Sequence, residues 1–396
     1  MAAVKDVYVL SAVRTAIGRF GGGLKDVGLD ELGATVVRES VARAGVDADD
    51  VEAAVFGNVL RTQADDAYIA RVAALKGGLR KESTALTVNR LCGSGLEAIV
   101  IASQQIQLGE ISLAVAGGVE SMSRATYSAR APRFGSKMGA VAFDDDMLAA
   151  LHDPFGAGHM GMTAENVSAQ FGIDRAAQDA FAELSHKRAV AAIEEGRFKE
   201  QIVPIEIKTR KGSIVFETDE HPRADVTADG LAGLKPAFKK QDGSVTAGNA
   251  SGINDGASAL ALASEDVVSA KGLTPMARLV SYARAGVEPS IMGTGPIPAV
   301  QAALKRADLT VDDLDVIESN EAFAAQACAV SKELGFPAEK TNPNGGAVAL
   351  GHPVGASGAI ITTKCLHELK RTGGRFGLAT LCIGGGQGIA AVFERV

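Results

Sequence analysis

VRESVARAGVDADDV at residues 37–51 is repeated by VQAALKRADLTVDDL at residues 300–314, and that pair decides the fold. Arg43-Ala44 falls on Arg306-Ala307 and Asp49-Asp50 on Asp312-Asp313, both at an offset of 263 positions. Each copy has the apolar spacing of an amphipathic helix, then a short acidic turn. Apolar residues follow in both, Val51 to Val55 and Leu314 to Ile317, which predicts entry into a buried strand. The same offset carries Ser94-Gly95 onto Ser357-Gly358, where small residues precede apolar runs and predict helix starts. Register held across separated stretches predicts two duplicated α/β halves.

The composition agrees with that class. In 396 residues, 46% are hydrophobic and 22% charged, and 46 are glycines, while aromatics reach only 5% with no Trp. A core of Ala, Val, Ile and Leu beneath many tight turns suits α/β architecture better than a β-sandwich. The formal charge of −7 argues against non-specific binding to nucleic acid or anionic membrane. No apolar run reaches the roughly 18 residues of a membrane span. The N-terminal stretch reads as a strand, Val7 to Val13, broken by Arg14, and lacks the pattern of a secretory signal, so a cytoplasmic address is expected. Four cysteines without a CxxC pair predict neither a disulfide framework nor a zinc site.

Between the halves the composition shifts. Residues 123–248 carry denser charge, including a helical stretch from Asp174 to Arg197 and the run Lys208 to Lys211, and read as an inserted domain. TAGNASGINDGASALAL, Thr246 to Leu262, returns to small apolar residues. The expected division is therefore 1–122 plus 249–272 for the first half, 123–248 for the insertion, and 273–396 for the second half.

Three glycine-rich segments carry the chemistry: NRLCGSGLEAI around Cys92, GHPVGASGA around His352, and CIGGGQGIA from Cys382. A thiol, an imidazole and a second thiol suit transfer of an acyl group and then a proton. An ordinary free cysteine is a small buried hydrophobe. Cys92, however, is placed at a helix N-terminus, where N–H groups and the helix dipole are expected to favour a thiolate. His352 is one of six histidines, and Gly351, Pro353 and Gly355 hold it in one orientation, although such a histidine can also simply fill space. Cys382 follows an expected strand, Phe376 to Leu381, and on its own reads equally as a packing residue. Asn320 reads as a helix cap, and Leu91, Met160 and Phe323 as core, if taken singly. There is no GxxxxGK[ST] phosphate loop.

Seven linked blocks resemble thiolases: NRLCGSGLEAI (89–99), GGVESMS (117–123), HMGMTAEN (159–166), TAGNASGINDGA (246–257), NEAFA (320–324), NPNGGAVALGHPVGASGA (342–359) and CIGGGQG (382–388). The likeness spans the chain and is strongest to the bacterial biosynthetic type of acetyl-CoA acetyltransferase and β-ketothiolase. It implies a thiolase fold of two βαβαβαββ halves in α/β/α/β/α layers, an inserted loop domain, and a homotetramer. It makes Cys92 the acylated nucleophile and His352 its base and a hydrogen-bond donor to a thioester oxygen. Cys382 would move the α-proton, the N–H groups of Cys92 and Gly384 would hold an oxyanion, and Asn320 would hold a water for a second oxyanion site. Leu91, Met160 and Phe323 become pocket walls; His159 and Met160 line a pantetheine tunnel, Ser251 bonds its amide, and Arg223 lies near adenine. Acetyl-CoA, 3-ketoacyl-CoA and CoA are the implied partners, with no metal or redox cofactor. A ketoacyl synthase of the same fold is expected to have histidine where Cys382 stands. A non-catalytic lipid carrier would have no use for Cys92, Asn320, His352 and Cys382 together. His152-Asp153-Pro154-Phe155 resembles the broader-range β-ketothiolases that supply polyhydroxyalkanoate precursors.

Overall fold

β1 (Val7–Thr15) is buried almost throughout, as a strand does when both its faces are covered by other layers. The computed structural model describes residues 5–210 and 212–396; Lys211 of the predicted charge run lies outside them. After β1 the first half continues through α1 (Leu29–Ala44), β2 (Ala53–Gly57), α2 (Ile69–Lys76), β3 (Thr84–Val88), α3 (Ser94–Gln107) and β4 (Leu113–Ser121). The chain then leaves the sheet for an excursion that includes α4 (Met160–Phe171) and α5 (Arg175–Glu194), and returns as β5 (Asn254–Ser264). The second half runs β6 (Ala277–Gly286), α6 (Pro296–Ala307), β7 (Val316–Ser319), α7 (Ala324–Leu334), α8 (Val354–Thr372), β8 (Phe376–Ile383) and β9 (Gln387–Arg395).

The offset of 263 lays β2 on β7, β4 on β8, and α3 on the body of α8. Strand order repeats as well, β3-β2-β4-β5-β1 in the first half and β7-β8-β9-β6 in the second. The halves join edge to edge at two residue pairs, Tyr8 with Arg278 and Val9 with Ala277. Even an irregularity is copied: the register slips between Val9 and Ser11 against β5, and between Leu279 and Ser281 against β9. The counterpart of β3 is the exception, reduced to a single bridge between Ile317 and Thr341.

α1 and α2 cover the outer face of the first sheet region and α6 that of the second, while α3 and α8 lie between the two. The middle position explains why α8 is buried on every side, with 15 of its 19 residues enclosed. Close approach of the central helices needs glycine. A Cβ on Gly95 would stand 2.7 Å from the Ala359 nitrogen, and one on Gly118 would stand 2.2 Å from the Gly355 oxygen.

The excursion is pinned to the core by a buried ion pair. Arg14, at the end of β1, reaches Asp219 at 2.7 Å and Gln201 Oε1 at 2.7 Å, and both charged side chains are fully enclosed. Among the described residues no helix is long and apolar enough to cross a membrane.

Candidate active site

Three loop ends converge where α3, α8 and β8 begin or finish. Cys92 precedes the Gly93 cap of α3, and Leu91 before it adopts φ +46°, a conformation costly for a branched aliphatic residue by about 1–3 kcal/mol. The turn is held by Ser94, whose hydroxyl donates to the Leu91 carbonyl at 2.6 Å and accepts from the Arg90 N–H at 2.8 Å. Cys92 is half-buried and opens onto a cavity of about 360 Å³.

His352 lines the same cavity and is itself buried. Its main-chain N–H donates to Asn254 Oδ1 at 3.0 Å, and its Nδ1 lies 2.6 Å from Ser357 Oγ. The Ser357 hydroxyl also donates to the Pro353 carbonyl at 2.9 Å. With its single proton directed there, Ser357 accepts from Nδ1–H, and the lone pair is left on Nε2. Asn320 Nδ2 faces that Nε2 at 3.5 Å, a long contact with the polarity a base would accept. Burial lowers the His352 pKa to about 4, so the imidazole is neutral at physiological pH.

Cys92 differs from the sequence expectation. Burial pushes its thiol up to about 11, against the opposing pull of the Gly384 N–H, which donates to the sulfur, and of its own N–H. The charge of Glu120 pushes in the same direction as burial. Desolvation therefore outweighs the helix terminus, and Cys92 rests as the neutral thiol. Glu120 is buried and accepts N–H bonds from Val59, Leu60 and Gly355 at 2.8–3.1 Å, so it ties the loop after β2 to the start of α8.

Cys382 is enclosed and lies within β8, one residue from its end, rather than after the strand as its sequence suggested. Burial, and then the nearby Cys92 charge, raise its thiol far above the ordinary range. It packs with Met160, Met292, Ala322 and Phe323. Gly384 sits against Leu91 and Met160, whose atoms lie 3.2 and 3.4 Å from where a Cβ would be.

The predicted binding residues separate into two groups. His159, Met160, Ser251 and Phe323 line the cavity with Cys92 and His352. His159 accepts the Gly161 N–H on Nδ1 at 3.0 Å and stacks on Phe238 at 4.7 Å, so its Nε2–H remains to donate. Leu91 backs Gly384 without lining the cavity. Arg223 is exposed and outside the cavity wall, its N–H on His186 Nδ1 at 3.2 Å. His186 stacks with His221, which abuts the cavity residue Gly252, so Arg223 belongs to the approach rather than the interior.

Several site residues escaped sequence reading. Ser357 was visible only as a marker of the repeat, and Phe238, Met122, Leu148 and Met292 carry no local signal of their role.

Comparison with known proteins places this arrangement. The family model described as thiolase, N-terminal domain matches residues 7–266, and that described as thiolase, C-terminal domain matches 273–395. The β-ketothiolase BktB of Cupriavidus necator is 59% identical over 392 residues, covering 99% of this chain and all of that one. An Escherichia coli acetyl-CoA acetyltransferase is 50% identical over 399 residues, covering 99% and 100%. Among solved structures, the acetyl-CoA acetyltransferase of Bacillus anthracis superposes with a TM-score of 0.97 at 49% identity, covering both chains fully. Human mitochondrial 3-ketoacyl-CoA thiolase in complex with CoA gives a TM-score of 0.96 at 44% identity, covering 100% and 99%. A repeated half-fold with two thiols and a neutral imidazole at its centre thus has full-length kin on both counts, and the chain belongs to the thiolase family.

Proposed function

We propose that this chain is an acetyl-CoA C-acetyltransferase: it joins two acetyl-CoA to give acetoacetyl-CoA and CoA, and reverses that reaction on short 3-ketoacyl-CoA. The observation that carries the reading is Cys92 and His352 on one cavity wall, with the Gly384 N–H on the Cys92 sulfur.

In the first half, Cys92 gives its proton to His352 Nε2 and attacks the thioester carbonyl. The oxyanion is met by the N–H groups of Cys92 and Gly384, and the imidazolium returns the proton to the departing CoA sulfur. In the second half, His352 draws the proton from Cys382, and the resulting thiolate takes an α-proton from the next acetyl-CoA. The carbanion attacks the acyl carbonyl, and the leaving Cys92 thiolate takes the proton held on His352. Cys382 keeps the α-proton, so all three groups return to their resting state. The high proton affinity that burial gives Cys382 suits removal of a weakly acidic C–H. Acylation also prevents Cys92 from ionising, so no charge there opposes ionisation of Cys382. The cycle draws on no redox cofactor or metal, since the thioester acidifies its own α-carbon. Asn320 holds a water beside His352, Ser251 bonds the pantetheine amide, and Arg223 meets the nucleotide end.

The proposed assembly is a homotetramer in the cytoplasm. Its support is three exposed large apolar side chains within ten residues of the excursion, Phe134, Met138 and Phe143. Thiolysis assays on C4, C5 and longer 3-ketoacyl-CoA test the activity: turnover of C4 is expected, and activity confined to long chains contradicts the biosynthetic assignment.

A further inference from the structure

We infer that the acyl group carried on Cys92 lies against Met122 and Val354, beneath the short helix Asp146–Ala150, and that this wall selects the acyl donor separately from the nucleophile. The inference rests on the acyl-transfer reading above.

Cys92 stands between two apolar clusters. One gathers Met160, Met292, Ala322 and Phe323 around Cys382. The other gathers Leu60, Met122 and Val354, with Met147 and Ile253, around Cys92 itself. The cavity reaches both, with Phe323 on one side and Met122 and Val354 on the other. In the second half-reaction the incoming α-carbon must approach from the side of Cys382, trailing its pantetheine past His159 and Phe238. Those atoms and an acyl tail cannot share that space, so the tail is left with the second cluster.

That cluster is dry near the sulfur, with Met122 3% and Val354 5% exposed. Its roof is held by few polar ties: Asp145 accepts the N–H groups of Met147 and Leu148, and the hydroxyls of Thr126 and Ser128 donate to Asp146. Met122 is unbranched and yields by rotation, whereas Val354 is stiff. The fitting donors are therefore straight-chain acyl groups somewhat longer than acetyl, with Met122 as the adjustable wall.

Thiolysis reads this directly. Cys92 gives its proton to His352 and attacks C3, the C2–C3 bond breaks, C2 takes the proton from Cys382, and His352 reprotonates Cys382. An acyl group two carbons shorter stays on Cys92 until the CoA thiol takes it and a proton returns to Cys92. The measurement is kcat/KM for 3-ketohexanoyl-CoA relative to acetoacetyl-CoA. One added methylene in a shaped apolar pocket changes discrimination by about 10–200-fold. Met122→Ala should raise the ratio at least about tenfold and Met122→Trp should lower it by a similar factor. Val354→Ala is a second variant that should raise it should a Met122 variant fold poorly. Ratios equal to that of the parent enzyme in all folded variants overturn the subsite while leaving the acyl-transfer reading intact. A parent enzyme that forms no acyl adduct and cleaves no acetoacetyl-CoA overturns both.

Discussion

His352 Nδ1 lies 2.6 Å from Ser357 Oγ, and the serine's own proton is directed at the Pro353 carbonyl. That one relationship fixes the tautomer and leaves Nε2 as the basic nitrogen. Ser357→Ala frees the ring to rotate and to carry its proton on either nitrogen. Since a positioned general base supplies roughly 10²–10⁴-fold, losing its orientation should cut kcat about 10–100-fold with little change in KM. Steady-state kinetics check this, and a purely structural serine would instead lower thermal stability with kcat intact.

Cys92 and His352 are both neutral at rest, which makes the pH dependence distinctive. With the thiol pushed up to about 11 and the imidazole down to about 4, alkylation of Cys92 by iodoacetamide should keep rising with pH through 8, 9 and 10. A plateau already reached below pH 7 would reveal a resting thiolate–imidazolium pair and refute that electrostatic picture. For stability, the sign follows from the lowered histidine value. Between pH 6.5 and about 4 the unfolded chain binds a proton that folded His352 refuses, so stability falls as pH drops through that window.

The repeat was legible because duplication leaves equal spacing, and the offset that aligned Arg43 with Arg306 also aligns β4 with β8. The convergence of Cys92, His352 and Asn320 followed from the resemblance, since nothing local joins residues that the fold alone brings together. Where local reasoning failed, tertiary burial was the cause. The sequence around Cys92 carries no measure of desolvation, and the glycines at 384–386 obscure the end of the strand that holds Cys382. Phe238 reaches the cavity only through packing of the excursion, a long-range event with no periodic signature. The shrinkage of one second-half strand to the Ile317–Thr341 bridge was equally hidden.

Gly351 supports the His352 loop by geometry. Its φ is +106°, and a Cβ there would stand 2.3–2.5 Å from the side-chain amide of Asn254, the group that accepts the His352 N–H. Gly351→Ala should therefore cost at least about 1–3 kcal/mol in backbone strain alone, and should lower kcat by displacing the imidazole. Denaturant unfolding together with acylation kinetics measures both effects.

Arg14 and Asp219 are the buried lock between β1 and the excursion. Removing one partner strands a charge, so Asp219→Ala should destabilise by about 3–5 kcal/mol. Loss near the 0–1 kcal/mol of an exposed pair would show that water reaches the site. Limited proteolysis within residues 205–216 should accelerate at the same time.

The most direct measurement is intact-protein mass spectrometry after incubation with acetyl-CoA, for the parent chain, Cys92→Ser and Cys382→Ser. The parent and Cys382→Ser should each gain one acetyl group, mapped to Cys92 by peptide analysis, with Cys382→Ser condensing poorly thereafter. Cys92→Ser should gain no cysteine-bound acetyl group. An unmodified parent chain, or equal loss of acylation in both variants, would contradict the assignment of nucleophile and proton carrier to these two sulfurs.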